Sequence, residues 1–255
     1  MELKKLEEIE NKYLNKYFFF LKFALDEILE GLSTREKIKN DWYGFYDSKI
    51  NEFSTGAERV IYSILNGKGI GIPNSAPVGS DLFFEVTDAF IHIDLKTVSA
   101  SLKSKGNIRD FAKSIFIGSN QNSYKEKIIL NEGKPEQYSR QYTPHLPPIY
   151  NKNTELEKPC LTYFITMLYD KDTLETLVIN ILCMPNGLLS SVYKNRPISA
   201  GKTKNEIRFN FSKTENFQLL NNQQRIKIVF FNPSMNSRYL SVLKWQNELF
   251  QRQSI

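Results

Sequence analysis

Cysteine and histidine are scarce in this chain, which has only Cys160, Cys183, His92 and His145 among its 255 residues. The two cysteines lie in separate apolar runs, and the four residues do not have the spacing of a zinc site. A disulfide-stapled secreted domain is therefore not expected, and we predict buried free thiols in a reducing compartment. The two histidines are also too far apart in sequence to indicate a histidine metal centre.

Long apolar runs are lacking as well. The aromatic stretch 18–21 is interrupted on either side by Lys16, Lys22 and Asp26, and no small-residue cleavage site follows it. No stretch approaches the ~18 consecutive apolar residues typical of a membrane span. The sequence therefore predicts a protein without a membrane partner, located in the cytoplasm.

Acidic residues are in the minority, since 28 Asp and Glu stand against 34 Lys and Arg and give a net charge of +6. A basic surplus suits a polyanionic partner such as a nucleic acid, although it does not select one. With 41% hydrophobic residues, the chain is long enough to bury a sizeable core. We expect a single domain over residues 1–255, with an N-terminal helical segment over about residues 1–50 and the main core from about residue 54.

Hydrophobic periodicity predicts most of the elements. Runs rich in β-branched and aromatic residues predict strands over residues 161–169, 174–184, 207–211 and 226–231. A closing helix is predicted over residues 238–251. The proline-containing segment 137–150 is predicted to be irregular. A stripe at three- and four-residue steps predicts a long N-terminal helix ending near Gly31, and its members are Leu6, Ile9, Tyr13, Tyr17, Leu21, Ala24 and Ile28. This order of elements is typical of an α/β sandwich with a mixed central β-sheet flanked by helices.

Two further strands, over residues 82–86 and 89–98, are predicted on either side of a two-residue turn, Thr87-Asp88. With a two-residue loop, the numbers of paired residues sum to 175, because residues 86 and 89 face each other. Asp81 then lies directly opposite Asp94, and opposed residues have Cβ atoms about 5 Å apart. The hairpin is therefore expected to bring two carboxylates together.

Lys96 shares a strand face with Asp94 and His92, whereas Leu95 points to the opposite, apolar face. Opposed carboxylates repel each other, and a divalent cation held by their oxygens is the natural compensation. Lys96 would stand beside that cation, to orient or deprotonate a water or to stabilise a phosphate oxygen. The pattern predicts a metal-dependent nuclease site. In the alternative, Asp94 and Lys96 form an ion pair on the surface and Asp81 only caps the loop. That alternative requires a half-exposed strand, whereas the sequence of this strand is typical of one covered on both sides.

At these residues the chain resembles the PD-(D/E)XK nuclease superfamily, and within it the type II restriction endonucleases. Their signature is Asp, a spacer, Asp or Glu, any residue, and Lys; here it reads Ser80-Asp81, residues 82–93 and Asp94-Leu95-Lys96, with Ser80 in the place of the usual proline. The resemblance implies a restriction-endonuclease-like fold and magnesium-dependent, site-specific hydrolysis of double-stranded DNA, with manganese as a substitute cation. It also implies a metal held by Asp81, Asp94 and the Leu95 carbonyl, Lys96 as a catalytic residue, and a prokaryotic host cell.

Glu58 is a further catalytic candidate, because the family often carries an acidic residue on the helix that precedes the hairpin. An alternative is a helix capping box, in which Glu58 reaches back to the backbone of Thr55. The sequence leaves both interpretations open.

Two segments are candidates for contact with DNA. Asn120, Gln121 and Asn122 carry amides suited to base edges, and a solvated turn is the alternative. The densest basic run suits phosphate contact, and a solvated face is again the alternative; it comprises Lys194, Arg196, Lys202, Lys204 and Arg208. The symmetry of palindromic sites favours a homodimer.

Two other functions compete with restriction. One is a nuclease of the same fold that acts in repair or reads DNA structure, such as a junction resolvase. The other is a non-catalytic DNA-binding protein in which the carboxylates and Lys96 form a structural cluster. Cleavage of intact plasmid at fixed sites separates restriction from the first, and dependence on a metal separates it from the second.

Overall fold

The computed structural model describes residues 1–37, 53–67, 71–73, 79–101, 105–130, 133–201 and 206–253. Its helices are α1 (Leu3–Phe23), α2 (Leu25–Lys37), α3 (Phe53–Gly67), α4 (Lys105–Phe111), α5 (Ser190–Tyr193), α6 (Ser237–Val242) and α7 (Lys244–Gln253). Its strands are β1 (Ile72–Pro73), β2 (Leu82–Glu85), β3 (Phe90–Ala100), β4 (Ile115–Gly118), β5 (Glu126–Leu130), β6 (Tyr138–Tyr142), β7 (Ile149–Tyr150), β8 (Lys158–Asp170), β9 (Thr176–Met184), β10 (Ile198–Ala200), β11 (Glu206–Phe209) and β12 (Ile226–Phe231).

A mixed sheet forms the centre of the fold, with the strand order β1-β2-β3-β8-β9-β12. The β3–β8 pair is parallel, and the other neighbours in this order are antiparallel. Every residue of β9 is buried, which is consistent with a sequence that is apolar on both faces except at Thr176 and Asn180. Helices α3 and α4 pack against β3, α1 packs against β8, β9 and β12, and α7 packs against β12. The predicted mixed central sheet with flanking helices is confirmed.

The N-terminal stripe is buried as predicted, but the helix that carries it differs at two points. It breaks at Ala24 into α1 and α2, and α2 continues past Gly31 to residue 37, so the predicted end near Gly31 is wrong. A Cβ atom at position 31 would lie 3.0 Å from a Val60 side-chain carbon. Gly31 therefore permits close approach of α2 to α3 rather than ending the helix.

Two smaller sheets lie outside the central one, in the orders β10-β11-β4 and β5-β6. Strand β6 falls within residues 137–150, so the prediction that this segment is irregular is wrong in part. Its prolines follow the strand instead of interrupting it, and Tyr142 at its end is buried. The predicted closing helix is divided at Leu243 into α6 and α7.

Among the helices of the described residues, none combines the length and the apolar character that crossing a membrane requires.

Candidate active site

The β2–β3 hairpin has the predicted register. Leu82 pairs with Ile93, and Phe83 pairs with His92, so paired numbers sum to 175. A 3.0 Å hydrogen bond from the Val86 N–H to the carbonyl of residue 89 closes the turn. The residue before β2, at position 81, therefore extends the register toward position 94. Strand β3 is two residues longer than predicted at its C-terminal end, and this does not alter the pairing.

Asp81, Asp94 and Lys96 meet at the open end of this hairpin. An Asp81 carboxylate oxygen, Oδ2, accepts a hydrogen bond from the Leu95 N–H at 2.9 Å. The Lys96 Nζ lies 2.5 Å from Asp94 Oδ2. Asp94 is only 3% exposed, because β3 is covered on both faces. A loose surface ion pair is inconsistent with this burial.

The two carboxyl groups differ in their pKa shifts. Burial raises the pKa of Asp94 to about 8; the neighbouring Asp81 adds to the rise, and the Lys96 ammonium opposes it. The pKa of Asp81 is lowered, because the upward effect of its own burial is outweighed by interactions with Asp94, Tyr62 and the Leu95 N–H. The pair therefore resists carrying two negative charges unless a cation compensates for them.

The side chains at this position fit a hard divalent cation. Asp94 Oδ2 is buried and lacks a well-formed hydrogen bond within the described part of the chain, although the Lys96 ammonium is close to it. In the same described residues, no group of three or more His, Cys, Asp or Glu side chains forms a metal cage. Two carboxylates without a full cage suit a cation that keeps several waters and takes its other ligands from a phosphate.

Glu58 and Tyr62 approach the site from α3, one helical turn apart. Helix α3 begins at Phe53, so Thr55 lies inside the helix, and the capping-box interpretation of Glu58 is wrong. Burial and the charge of Asp81 raise the pKa of the half-buried Glu58, whereas Lys96 opposes the rise. Tyr62 was not predicted from the sequence; its buried hydroxyl faces Asp81, and its pKa is raised mainly by burial. The four-residue spacing from Glu58 was the available signal.

His92 lies away from the end of the hairpin where Asp81 and Asp94 meet, but it supports that end. Its Nδ1 lies 2.9 Å from the Ser80 hydroxyl and its Nε2 lies 3.2 Å from the Tyr150 hydroxyl. The imidazole stacks on the Phe83 ring with centroids 4.3 Å apart, and burial lowers its pKa to about 4. A neutral His92 thus anchors the residue before Asp81, in the place where the family usually has proline.

The three amide candidates for base contact occupy different environments. Asn120 is exposed and lies over Gly79, where an added Cβ would come within 2.1 Å of its Nδ2. Gln121 accepts a hydrogen bond from Lys96 Nζ at 3.1 Å. Asn122 is fully buried and donates to the Tyr142 hydroxyl at 2.8 Å. A base contact by Asn122 would require this buried bond to break.

The basic candidates are also divided. Lys194 is exposed, at a left-handed backbone position with φ of 51°. Arg196 donates to the carbonyls of Val192 and Tyr193, and Arg208 forms an ion pair with Asp110 at 3.1 Å. These intramolecular partners make Arg196 and Arg208 weaker candidates for a phosphate than Lys194. The remaining two, Lys202 and Lys204, lie outside the described residues.

Comparison with known protein families identifies the family of this chain. The family model of the N-terminal domain of the type II restriction enzyme MwoI matches residues 2–173, and the family model of its central domain matches residues 176–231. Strands β8 and β9 pair across the border between the two matched segments, so one sheet includes both. Comparison with curated protein sequences gives no match.

Two solved structures share the fold. One is the restriction endonuclease BglI bound to its DNA recognition sequence, with a TM-score of 0.64 and 14% identity over 89% of this chain and 92% of that one. The other is the tetrameric restriction endonuclease SfiI bound to cognate DNA, with a TM-score of 0.65 and 12% identity over 92% of this chain and 88% of that one. Since the first family model covers well over half of the residues, the chain belongs to the MwoI family of type II restriction enzymes and is a site-specific deoxyribonuclease.

Proposed function

We propose that this restriction endonuclease cuts double-stranded DNA with a magnesium ion held by Asp81, Asp94 and the Leu95 carbonyl, and that manganese can substitute. The observation that carries the proposal is the meeting of Asp81 and Asp94 beside the Lys96 ammonium. The restriction endonuclease family points to a divalent metal, and magnesium prefers such oxygen ligands while keeping several waters. Asp81 is exposed at the end of the hairpin, so a phosphate can approach the pair from that side.

The proposed reaction is the attack of a water on a DNA phosphorus. A phosphorus–oxygen bond forms to the water, which releases a proton to solvent. The bond to the 3′ oxygen breaks, and that oxygen leaves with a proton taken from solvent. When bound, a divalent cation neutralises charge on the phosphate and lowers the pKa of a coordinated water. Lys96 donates hydrogen bonds that hold the attacking water in line with the 3′ oxygen or stabilise charge on a non-bridging oxygen, and Glu58 acts indirectly, through water.

Plasmid digestion tests this proposal. With magnesium or manganese, the protein should convert intact plasmid into discrete fragments, because recognition is sequence-specific. Addition of excess EDTA should abolish the fragments, and renewed addition of magnesium should restore them. Fragments that persist in EDTA would contradict metal dependence. A continuous smear, or cleavage confined to branched DNA, would instead favour a repair or structure-specific nuclease.

We also propose that residues 1–255 act as one endonuclease domain and assemble as a homodimer on a palindromic site. The expected setting is the cytoplasm of a prokaryotic cell, as the resemblance to restriction enzymes implies. Two symmetric half-sites call for two copies of one surface. Light scattering with and without cognate DNA distinguishes this dimer from a tetramer, which is the state named for SfiI.

Phosphate grip and base readout are expected to be separable by their salt dependence. If Lys202 and Lys204 contact phosphates, replacing both with Ala should weaken binding to all sequences and flatten the slope of log affinity against log salt by about 0.9 per lost contact. Asn120→Ala should instead cost roughly 1–3 kcal/mol for the cognate site alone. Titrations on cognate and scrambled duplexes measure both effects. An unchanged slope or unaltered discrimination would contradict the corresponding assignment.

A further inference from the structure

The Lys96 ammonium is held from two sides. Asp94 Oδ2 lies 2.5 Å from Nζ on one side, and Gln121 Oε1 accepts a hydrogen bond from it at 3.1 Å on the other. We propose that Gln121 is a positioning residue that aims Lys96 at the reacting phosphate, an inference that rests on the catalytic role proposed for Lys96. This role differs from the base contact that the sequence suggested for Gln121.

Gln121 is itself firmly held, which a positioning residue requires. Its Oε1 also accepts a hydrogen bond from the Gly118 N–H at 2.8 Å, so one oxygen joins the turn 119–121 to Lys96. The next residue, Asn122, is fully buried and donates to the Gly118 carbonyl at 3.1 Å and to the Tyr142 hydroxyl at 2.8 Å. The turn that presents Gln121 is therefore fixed at both of its ends.

The geometry of a lysine explains why a second partner matters. Its ammonium sits on a flexible four-carbon chain and acts as a compact charge that carries three protons. Within the described residues, Asp94 and Gln121 are its polar partners, which leaves one proton for a third acceptor such as a water or a phosphate oxygen. With Asp94 alone, the ammonium would keep its charge partner but lose the constraint on the direction of that third proton.

Gln121→Met tests the inference, because Met has a similar length and lacks the acceptor oxygen. Under single-turnover conditions with magnesium, its cleavage rate should fall about 10- to 100-fold, the effect of one hydrogen bond to a charged group. DNA affinity measured in EDTA should stay unchanged, since the effect lies in the rate. Gln121→Glu keeps an acceptor oxygen and should recover most of the rate. Ser119→Ala, in the same turn but without a bond to Lys96, is the matched control.

A double-variant cycle with Lys96→Ala distinguishes positioning from a structural role. If Gln121 acts through Lys96, then Gln121→Met should slow cleavage in the native background and have no further effect in Lys96→Ala. Equal slowing in both backgrounds, or a native rate for Gln121→Met while Lys96→Ala is slow, would overturn the inference alone. A native rate for Lys96→Ala would overturn the proposed role of Lys96, and the inference with it.

Discussion

Asp94→Asn and Lys96→Ala are each expected to lower plasmid cleavage by at least about a thousandfold. Cation binding and water activation contribute several kcal/mol to such a reaction, and each ~1.4 kcal/mol is a factor of ten in rate. Asp94→Asn has nearly the same shape as the native residue and removes the charge that would hold the cation. Asp81→Ala should have a comparable effect, whereas Glu58→Ala should cost less, because the role proposed for Glu58 is indirect, through water.

Folding and activity can be separated in this experiment. Because burial penalises the charged form of Asp94, the neutral Asn should leave thermal stability in EDTA close to that of the native protein. Asp88→Asn is the matched control, since Asp88 lies at the turn of the same hairpin and contacts Lys12 and Tyr13 instead of the site. It should cut at the native rate. Undiminished cleavage by Asp94→Asn would remove Asp94 from the mechanism.

The hairpin could be predicted from sequence because its determinants are local. A two-residue turn sets the register, and the register alone brings position 81 opposite position 94. The alternation of side chains then puts Lys96 on the same face as Asp94. These inferences need no knowledge of the rest of the chain.

The residues around the hairpin could not be predicted in the same way, because long-range packing brings them there. Gln121 reaches Lys96 from a turn that follows β4, a strand of a different sheet. Tyr150, which bonds to His92, is contributed by β7, a two-residue strand that pairs with β8. Of these residues, Tyr62 was the easiest to predict from the sequence, since it lies one helical turn beyond Glu58 on α3.

The core also contains charged residues that could not be predicted from the sequence. Glu7 and Glu10 lie beside the apolar stripe of α1, where charged residues ordinarily face solvent. Both are fully buried, and so is Arg225, which reaches them from the opposite end of the chain. Nothing within α1 signals this partner, because the pairs are 218 and 215 residues apart.

Arg225→Met is expected to destabilise the protein by about 3–5 kcal/mol, the cost of leaving buried charges without their partner. Arg225 Nη2 lies 2.8 Å from a Glu10 oxygen and 3.4 Å from a Glu7 oxygen, and its Nε donates to the Tyr193 hydroxyl at 2.8 Å. The loss would be a large share of the roughly 5–15 kcal/mol that stabilises a typical domain. Chemical denaturation in EDTA measures it.

Two comparisons identify the cause of this loss. Arg196→Met is the matched control, because the Arg196 guanidinium also lies over the Tyr193 ring but bonds to neutral oxygens. The destabilisation by Arg196→Met should be clearly smaller.

Burial raises the pKa of Glu10 above 4.5 even with Arg225 beside it, and removing Arg225 should raise this pKa further. When the pKa of a carboxyl group is raised in the folded state, the protein loses stability as pH rises from 4.5 through that pKa. The deficit of Arg225→Met should therefore grow with pH above 4.5, and a deficit independent of pH would contradict the uncompensated-charge explanation.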